Sequence, residues 1–360
     1  MKIQLNGATL NNVLKKVKPF IDLKNKNLPI LQTIKITATD DVYITTTDLE
    51  NTIIARVPGN IVFKPGEICV DYKGLIQMVK GQTEQIVITK NTIENGMIIN
   101  YQSMSAEDYP NMQRITADEK HYSTNLSNDF IKGLETCLPH ALDDKKSDRV
   151  AFKGIWIDNE HYFACDTRTL ALYKQNEIQY PKNILIYQSA VKGITGTFKK
   201  DNNIQCKINS HLMELSNNEY TVICRIKTDT NMPPYNHIIN GLKNEYYITV
   251  DTKYFKSIVD KIPKNKQGTL VDLKVKHSIV KMSSDTVKPF EVKCKDEYCD
   301  GLEICYNNMY MQRLINSFDL KLNKELTIKF NGRTEPFVIQ NDKLIVLAGA
   351  VIDKNRAISA

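Results

Sequence analysis

FACDTRTLALYK, residues 163–174, is the stretch that decides the fold, because the chain repeats its plan twice more. The other two copies are ITTTDLENTIIARV, residues 44–57, and VKMSSDTVKPFEVKC, residues 280–294. Each copy has an apolar strand, a small polar residue, an aspartate and a second run of alternating residues. The three aspartates lie about 118 residues apart, an interval long enough for a whole domain.

Two amphipathic segments accompany each copy of this stretch. The first precedes the copy and has apolar residues at helical spacing, in residues 2–17, 122–137 and 247–262. The second comes after the copy, each time behind an apolar strand, in residues 71–80, 188–198 and 306–318. Each third of the chain therefore has two predicted helices and several strands in the same order.

This repetition predicts an α+β protein of three tandem domains, each with two helices packed on antiparallel sheets. The predicted domains are residues 1–119, 120–242 and 243–353, and residues 354–360 are predicted to be a flexible tail. A chain of 360 residues with 42% apolar content can bury several cores. No run approaches the roughly 18 apolar residues of a membrane span, so we expect a soluble, cytoplasmic protein without a membrane partner.

Motifs of catalysis and of metal binding are missing from the sequence. It has no Gly-rich phosphate loop, no GxSxG and no HExxH. The three repeated aspartates, Asp48, Asp166 and Asp285, are interpreted as turn formers rather than catalytic carboxylates. Cys294, Cys299 and Cys305 form the only cysteine cluster, and their spacing fits no metal site. We therefore expect a non-catalytic protein without cofactor or metal.

Positive charge recurs on all six predicted helices, and the chain carries a net charge of +7. Acidic residues collect in loops instead, as at Asp40-Asp41 and Glu107-Asp108. A lysine-rich face on one helix is usually only a solvated face, but six helices with the same bias favour a polyanionic partner. Scattered lysines without interleaved aromatics indicate contacts with a nucleic-acid backbone, so binding is expected to be sequence-independent and sensitive to salt.

Six short segments, taken together, resemble one known family. They are Leu28-Pro29-Ile30-Leu31, Thr47-Asp48-Leu49-Glu50, residues 106–111, residues 165–171, residues 232–235 and Pro336-Phe337-Val338-Ile339. In order and spacing they are similar to the bacterial-type DNA polymerase III beta subunit, the beta sliding clamp, of which this chain would be a diverged member. The resemblance implies a processivity factor: a head-to-tail homodimer whose six domains form a ring around double-stranded DNA.

In this family the helices line the hole of the ring and the sheets form its outside. The resemblance and the charge pattern together give an expected DNA-facing set: Lys15, Lys16, Lys24, Lys26, Lys73, Lys80, Lys132, Lys145, Lys146, Arg149, Lys192, Lys199, Lys200, Lys253, Lys256 and Arg313. The head-to-tail contact is expected between Ile99 and Tyr101 of one chain and Ile262 and Pro263 of the other, and both places have apolar residues that look exposed.

The family also has a pocket in which the DNA polymerase and the clamp loader insert a short apolar peptide motif. The corresponding residues here are Phe152, Cys165, Thr167, Arg168, Leu170, Pro233, His237, Ile238, Pro336, Ile345, Val346, Leu347, Ala348 and Gly349. After the aspartate this chain has Thr167-Arg168-Thr169, where family members usually have a Gly, an aromatic or His, and an Arg. The alternative interpretation of these residues is ordinary core packing at a domain seam.

A second function class stays open at the level of sequence. The same repeated domain could belong to a monomeric, non-ring DNA-binding or decoy protein with no sequence preference. A ring is held on circular DNA by topology, whereas an open protein is not. Retention on circular and on linearised plasmid therefore discriminates the two functions.

Overall fold

A computed structural model describes residues 1–111, 113–142, 148–263, 268–298 and 301–351. The predicted tail, residues 354–360, lies outside these ranges. The helices are α1 (Gly7–Val17), α2 (Tyr72–Val79), α3 (Asn128–Cys137), α4 (Gln188–Phe198), α5 (Tyr235–Asn240), α6 (Thr252–Lys261) and α7 (Asn308–Asn316). Short 3-10 turns cover Lys18–Phe20, Pro29–Gln32, Leu138–His140 and Val150–Phe152.

The strands are numbered in chain order. The first fourteen are β1 (Lys2–Asn6), β2 (Thr33–Ala38), β3 (Val42–Thr47), β4 (Asn51–Arg56), β5 (Ile61–Lys64), β6 (Gly66–Asp71), β7 (Gln85–Thr89), β8 (Thr92–Glu94), β9 (Ile98–Asn100), β10 (Tyr122–Leu126), β11 (Gly154–Ile157), β12 (His161–Cys165), β13 (Thr169–Lys174) and β14 (Ile184–Tyr187). The others are β15 (Ile204–Ile208), β16 (Leu212–Ser216), β17 (Tyr220–Lys227), β18 (Tyr246–Asp251), β19 (Leu270–Lys276), β20 (Ile279–Ser284), β21 (Val287–Lys293), β22 (Asp296–Tyr298), β23 (Glu303–Asn307), β24 (Glu325–Phe330), β25 (Phe337–Gln340) and β26 (Leu344–Ala348).

Polar residues at strand ends start four of the helices. Where a strand ends at Asn or Asp, the side-chain oxygen accepts a hydrogen bond from an N–H group in the first turn of the next helix. These bonds join Asn6 to Thr9 at 3.0 Å, Asp71 to Gly74 at 2.6 Å, Asp251 to Tyr254 at 2.7 Å and Asn307 to Met309 at 3.0 Å. The strand–helix order predicted from the sequence is thus fixed by a local cap that recurs along the chain.

The chain forms two compact units, of which the first comprises residues 1–132 and 177–229. Its larger sheet is antiparallel and has the order β6–β2–β3–β4–β17–β16–β15–β10. Its second sheet has five strands in the order β5–β1–β7–β8–β9. The pairing of β4 with β17 joins a strand of the first third of the chain to one of the middle third.

The core of this unit lies between its helices and sheets. Helix α1 buries Leu10, Val13, Leu14 and Val17, which are spaced to share one helix face. Helix α4 lies so close to this part of the core that a Cβ atom at Gly193 would overlap the ring of Phe20.

The second unit comprises residues 133–176 and 230–360 and repeats the arrangement of the first. Its larger sheet has the order β11–β12–β13–β26–β25–β24–β18–β22, and β13 and β26 join the middle and last thirds of the chain. A four-stranded sheet follows the order β21–β20–β19–β23. The helices in the described part of the chain are all too short or too polar to cross a bilayer.

Candidate peptide pocket and nucleic-acid surface

The turn between β3 and β4 in the first unit and the turn between β12 and β13 in the second share the same hydrogen bonds. Asp48 Oδ1 accepts from the N–H groups of Glu50 at 3.0 Å and Asn51 at 2.6 Å. In the second turn, Asp166 Oδ1 accepts from the N–H groups of Arg168 at 3.0 Å and Thr169 at 2.7 Å. The interpretation of these two aspartates as turn formers is confirmed.

A left-handed residue follows the aspartate in both turns. Leu49 has φ of 76° and Thr167 has φ of 72°, a conformation that costs a residue with a side chain roughly 1–2 kcal/mol. The bonds to the aspartate oppose this strain.

The third copy of the motif is built differently. There the N–H groups of Thr286 and Val287 donate to Ser284 Oγ, at 3.3 and 3.1 Å. Asp285 lies in this turn, as predicted, but the neighbouring serine accepts these two bonds.

The predicted pocket residues lie in the second unit, around the Asp166 turn and the strand β26. Strands β13 and β26 pair with Leu170 opposite Leu347, and the Gly349 N–H donates to the Arg168 carbonyl at 3.1 Å. The turn and the end of β26 are therefore joined by strand pairing and by this backbone hydrogen bond. The predicted pocket residue Phe152 ends the 3-10 turn before β11 and is half-buried.

The side chains of β26 alternate between the two faces of the sheet, as in any strand. Ile345 is half-buried and Leu347 retains 6% exposure, whereas Val346 and Ala348 are fully buried. Val346 and Ala348 are therefore core residues, and their assignment to the pocket lining is corrected. Leu170 is buried in the same way, at 1% exposure.

The accessible part of the predicted set lies in the turn and in the segment at the start of α5. Thr167, Arg168, His237 and Ile238 are exposed. Cys165, Pro233, Pro336 and Gly349 are half-buried. With the half-buried Ile345 and Phe152, the accessible members of the predicted set are mainly apolar or small, with two cationic or titratable side chains.

Tyr235, which the sequence interpretation missed, anchors the segment that carries Pro233, His237 and Ile238. Its ring stacks on Phe163 with centroids 5.0 Å apart, and its hydroxyl donates to Asp158 Oδ2 at 2.8 Å. His161 Nδ1 lies 3.1 Å from the same hydroxyl. The aromatic–proline step in residues 232–235 was the signal in the sequence, and it marks an anchored aromatic rather than a simple loop.

Arg313 on α7 was expected to face DNA, but its guanidinium is engaged inside the second unit. Nη1 donates to Asp166 Oδ2 and to Thr169 Oγ1, the latter at 2.8 Å. The helix turn that carries Arg313 faces the pocket turn, so this expectation is corrected.

Most of the other expected DNA-facing residues are exposed. On the helices these are Lys15, Lys73, Lys132, Lys192 and Lys253, and outside the helices they are Lys24, Lys26, Lys80, Arg149, Lys199 and Lys200. Helices α1, α2, α4 and α7 contain no acidic residue. Lys145 and Lys146 lie outside the described residues.

Two of the expected DNA-facing lysines are tied to other groups. Lys16 Nζ donates to the Thr197 carbonyl at 2.9 Å and lies 4.4 Å from the centre of the Tyr220 ring. This ammonium therefore stabilises the C-terminal end of α4, where a cation is favourable. The expectation that Lys16 faces DNA is corrected, because its side chain packs within the first unit. Lys256 is half-buried, and its Nζ contacts Asp260 Oδ2 at 2.7 Å and donates to Asn316 Oδ1 at 2.6 Å.

The residues expected at a dimer contact lie on or beside two edge strands. Strand β9 pairs only with β8 among the described residues, and the adjoining Met97 and Ile98 are 67% and 68% exposed. Ile99 and Tyr101 are half-buried, and the Tyr101 hydroxyl donates to the Thr89 carbonyl at 2.5 Å.

The other edge is β21, which pairs only with β20 within the described part of the second unit. Beside it lies a groove of about 300 Å³ lined by Tyr254, Ile258, Lys261, Ile262, Val287, Phe290 and Glu291. Ile262 is 3% exposed, so the expectation of an exposed side chain is corrected: it forms the floor of the groove, while Pro263 is exposed.

Among the described residues, no group of three or more His, Cys, Asp or Glu side chains is placed to hold a metal ion. Cys294 and Cys305 are half-buried thiols, and Cys299 lies outside the described ranges. Burial raises the pKa of the Cys294 thiol to about 11, which keeps it protonated near neutral pH.

Comparisons with known proteins identify relatives over nearly the whole chain. Residues 1–113 match the family described as DNA polymerase III beta subunit, N-terminal domain. The beta sliding clamp of Mycoplasma pneumoniae is 21% identical over 377 residues, covering 95% of this chain and 97% of that protein.

Solved structures share the fold along the whole chain. The DNA polymerase sliding clamp of Bacillus subtilis has a TM-score of 0.86 at 18% identity, with 98% of this chain and 99% of that chain covered. The beta subunit from the DNA polymerase of Streptococcus pyogenes has a TM-score of 0.85 at 15% identity, with 98% and 100% covered. The first 113 residues thus match the beta subunit family, and nearly the whole chain is similar in sequence to a beta sliding clamp and has the fold of the solved sliding clamps.

Proposed function

We propose that this protein is a DNA sliding clamp, which encircles duplex DNA without sequence specificity and tethers a DNA polymerase to it. The observation that carries the proposal is the clamp fold combined with helices that bear exposed lysines and few acidic residues. Relatives with this fold are named as sliding clamps and as beta subunits of DNA polymerase. The role is non-catalytic, requires no cofactor and places the protein in the cytoplasm with the DNA.

The charge distribution suits a protein that must slide. Lysines such as Lys15, Lys73 and Lys192 are spread over several helices, so each phosphate contact is weak and is replaced by an equivalent one after a small shift. A contact with phosphate alone reads no base edge, so such contacts carry no sequence preference. A closed ring keeps the protein on the DNA by topology, which weak electrostatic contacts alone cannot do.

We propose three tandem domains, residues 1–119, 120–242 and 243–353. Two junctions support this division, because β4 pairs with β17 and β13 pairs with β26 in corresponding places of the two units. The carbonyl of Glu50 accepts from the Arg225 N–H at 3.0 Å, just as that of Arg168 accepts from the Gly349 N–H at 3.1 Å. The same edge-to-edge contact thus recurs between successive thirds.

A third contact of this kind would join two copies of the chain head to tail. Strand β9 and its exposed Met97 and Ile98 offer one edge, and β21 with the apolar groove beside it offers the other. An unpaired apolar edge is a site for strand addition, and the two edges differ, as a heterologous contact requires. Two such contacts close a ring of six domains.

The surface around the Asp166 turn is proposed as the docking site for short apolar peptide motifs of the polymerase and the clamp loader. Ile345, Ile238 and Phe152 supply accessible apolar surface, and strand pairing holds the turn rigid. Such sites combine apolar lining with a few placed polar groups.

The test is retention on nicked circular plasmid against the same plasmid linearised at one site, after loading by the clamp loader from the same genome. A ring is expected to stay on the circle and to leave the linear form through its ends. Equal loss from both DNAs would contradict the ring and favour the monomeric DNA-binding protein. Sedimentation at micromolar concentration is expected to give a dimer, and Ile98→Asp, which places a charge on the apolar edge, is expected to give a monomer.

A further inference from the structure

The two duplicated turns differ in what holds the second oxygen of the aspartate. In the first unit Asn51 Nδ2 donates to Asp48 Oδ2 at 3.1 Å, so the carboxylate is satisfied within the turn itself. The corresponding residue in the second unit is Thr169, whose hydroxyl donates to Asp166 Oδ1 at 3.1 Å. Asp166 Oδ2 is instead bound by Arg313, which comes from a helix more than a hundred residues further along the chain.

Arg313 makes a double contact that fixes the turn against α7. One nitrogen, Nη1, donates both to Asp166 and to Thr169 Oγ1, and the guanidinium side chain is only 24% exposed. Tyr310, one helical turn earlier, lies on the same side of α7, and its hydroxyl is 3.4 Å from Arg168 Nη1. Helix α7 in turn packs on β26.

The far end of α7 is also held. Ser317 Oγ donates to the Arg313 carbonyl at 3.0 Å, and His140 Nε2 lies 3.1 Å from Ser317 Oγ. The helix is therefore a fixed support for the turn rather than a loosely attached element.

The geometry of this turn determines the accessible part of the pocket. Thr167 is held in a left-handed conformation, and Arg168 presents its carbonyl to Gly349 and its side chain to solvent. Without an anchor for Asp166, the strained residue favours a more extended backbone, which would move Thr167 and Arg168 together. A small displacement of a positioning group is enough to weaken binding at a preorganised site.

We propose that Arg313 is a positioning residue of the peptide pocket, holding the Asp166–Thr169 turn in its binding conformation through helix α7. This inference rests on the proposed peptide-binding function of the pocket. The duplicated turn around Asp48, which needs no such support, provides an internal comparison within the same chain.

The probe is the tightest peptide recovered when a random octapeptide library is panned on the wild-type chain, made synthetically with a fluorescent label. Fluorescence anisotropy then gives its Kd for the wild type, Arg313→Gln, Asp166→Asn and the double variant. Asp166→Asn keeps the oxygen that caps the turn and removes the acceptor of the arginine. The matched control is Asp48→Asn, the same change in the turn of the first unit.

Arg313→Gln and Asp166→Asn are each expected to raise Kd about tenfold, the effect of losing one charge-assisted hydrogen bond at the site. The double variant is expected to bind no worse than either single variant, because both changes remove one interaction. Asp48→Asn is expected to stay within twofold of the wild type. The dimer expected in sedimentation at micromolar concentration, which forms without the clamp loader, is expected to be unchanged in the Arg313 variant, and a general loss of structure would not allow this.

Wild-type affinity in a folded Arg313→Gln variant, or additive effects in the double variant, would overturn this inference and leave the proposed clamp function standing. Should Arg313→Gln fail to fold, Arg313→Lys provides the measurement: a lysine keeps the charge but lacks the fixed fork, so unchanged affinity would overturn the positioning role. Recovery of no octapeptide by the wild type would overturn the peptide pocket itself, together with this inference.

Discussion

At the scale of single residues, His140 is the buried titratable group with the clearest consequence. Its ring is fully buried, and Nδ1 has no hydrogen-bond partner among the described residues. Burial, and next the nearby charge of Arg313, lower the pKa of His140 to about 3, while Asp166 acts in the opposite direction. The His140 imidazole is therefore neutral in the folded protein near neutral pH.

Stability is expected to fall as the pH is lowered through the ordinary pKa of histidine, 6.5. Below that pH the unfolded chain binds a proton at His140 and the folded chain does not, so protonation favours unfolding until the pH nears 3. When the pH is lowered from 7.5 to 5.5, this residue alone is expected to decrease the free energy of unfolding by about 1.4 kcal/mol.

Urea unfolding at the two pH values measures the effect. His140→Gln is expected to remove that part of the pH dependence, whereas His211→Gln, at an exposed histidine, is expected to keep it. A wild type and a His140→Gln variant that are destabilised equally on acidification would contradict the assignment.

At the scale of elements, the sequence predicted the six strand–helix repeats well. Residues 71–80, 188–198 and 306–318 contain α2, α4 and α7, and the capping aspartates and asparagines stand where the strands end. Periodicity and capping act within a few residues of each other, so they can be recognised in one sequence.

What could not be predicted depends on contacts between distant segments. Nothing local indicates that β4 pairs with β17, or that Arg313 reaches Asp166 instead of a phosphate. Helical spacing placed Arg313 on α7 but could not say which side faces the pocket turn. Likewise Lys16 follows Lys15 in a basic run, and only the fold shows that one is exposed and the other covers Tyr220.

Helix α4 gives a paired prediction about packing. Gly193→Ala is expected to destabilise the protein by about 1–3 kcal/mol, because the added methyl group overlaps the buried ring of Phe20. Gly196→Ala, three residues along the same helix, meets no atom within 4 Å and is expected to stabilise it by about 0.5–1 kcal/mol. The midpoint of urea unfolding measures both, and effects of the same sign at the two positions would contradict this account of the helix packing.

At the scale of the whole molecule, the location of positive charge matters more than its amount. Lys15, Lys73 and Lys192 lie on exposed helix faces, whereas Lys64, Lys90 and Lys227 are exposed on or beside strands of the same unit. The two sets have equal charge and belong to one compact unit. Changing each set in turn therefore distinguishes binding through a specific DNA-facing surface from general electrostatic attraction.

Changing the three helix lysines to glutamate is expected to lower affinity for duplex DNA at least tenfold. It is also expected to reduce the slope of log K against log salt by about 0.9 for each phosphate that the protein no longer neutralises. The same triple change in the strand lysines is expected to leave the affinity and the slope close to those of the wild type. Anisotropy titrations from about 50 to 200 mM salt provide the comparison, and an equal decrease in affinity in the two triple variants would contradict a helix-based DNA surface.

The pairing of β4 with β17 also determines when this protein can finish folding during its synthesis. Strand β4 cannot pair with β17 until β17 leaves the ribosome, about 170 residues later. Until then the nascent chain has an uncovered, apolar strand edge. Strand β13 waits in the same way for β26, almost at the end of the described chain. A truncated mRNA that ends before either partner strand would therefore yield an aggregation-prone fragment rather than a smaller functional protein.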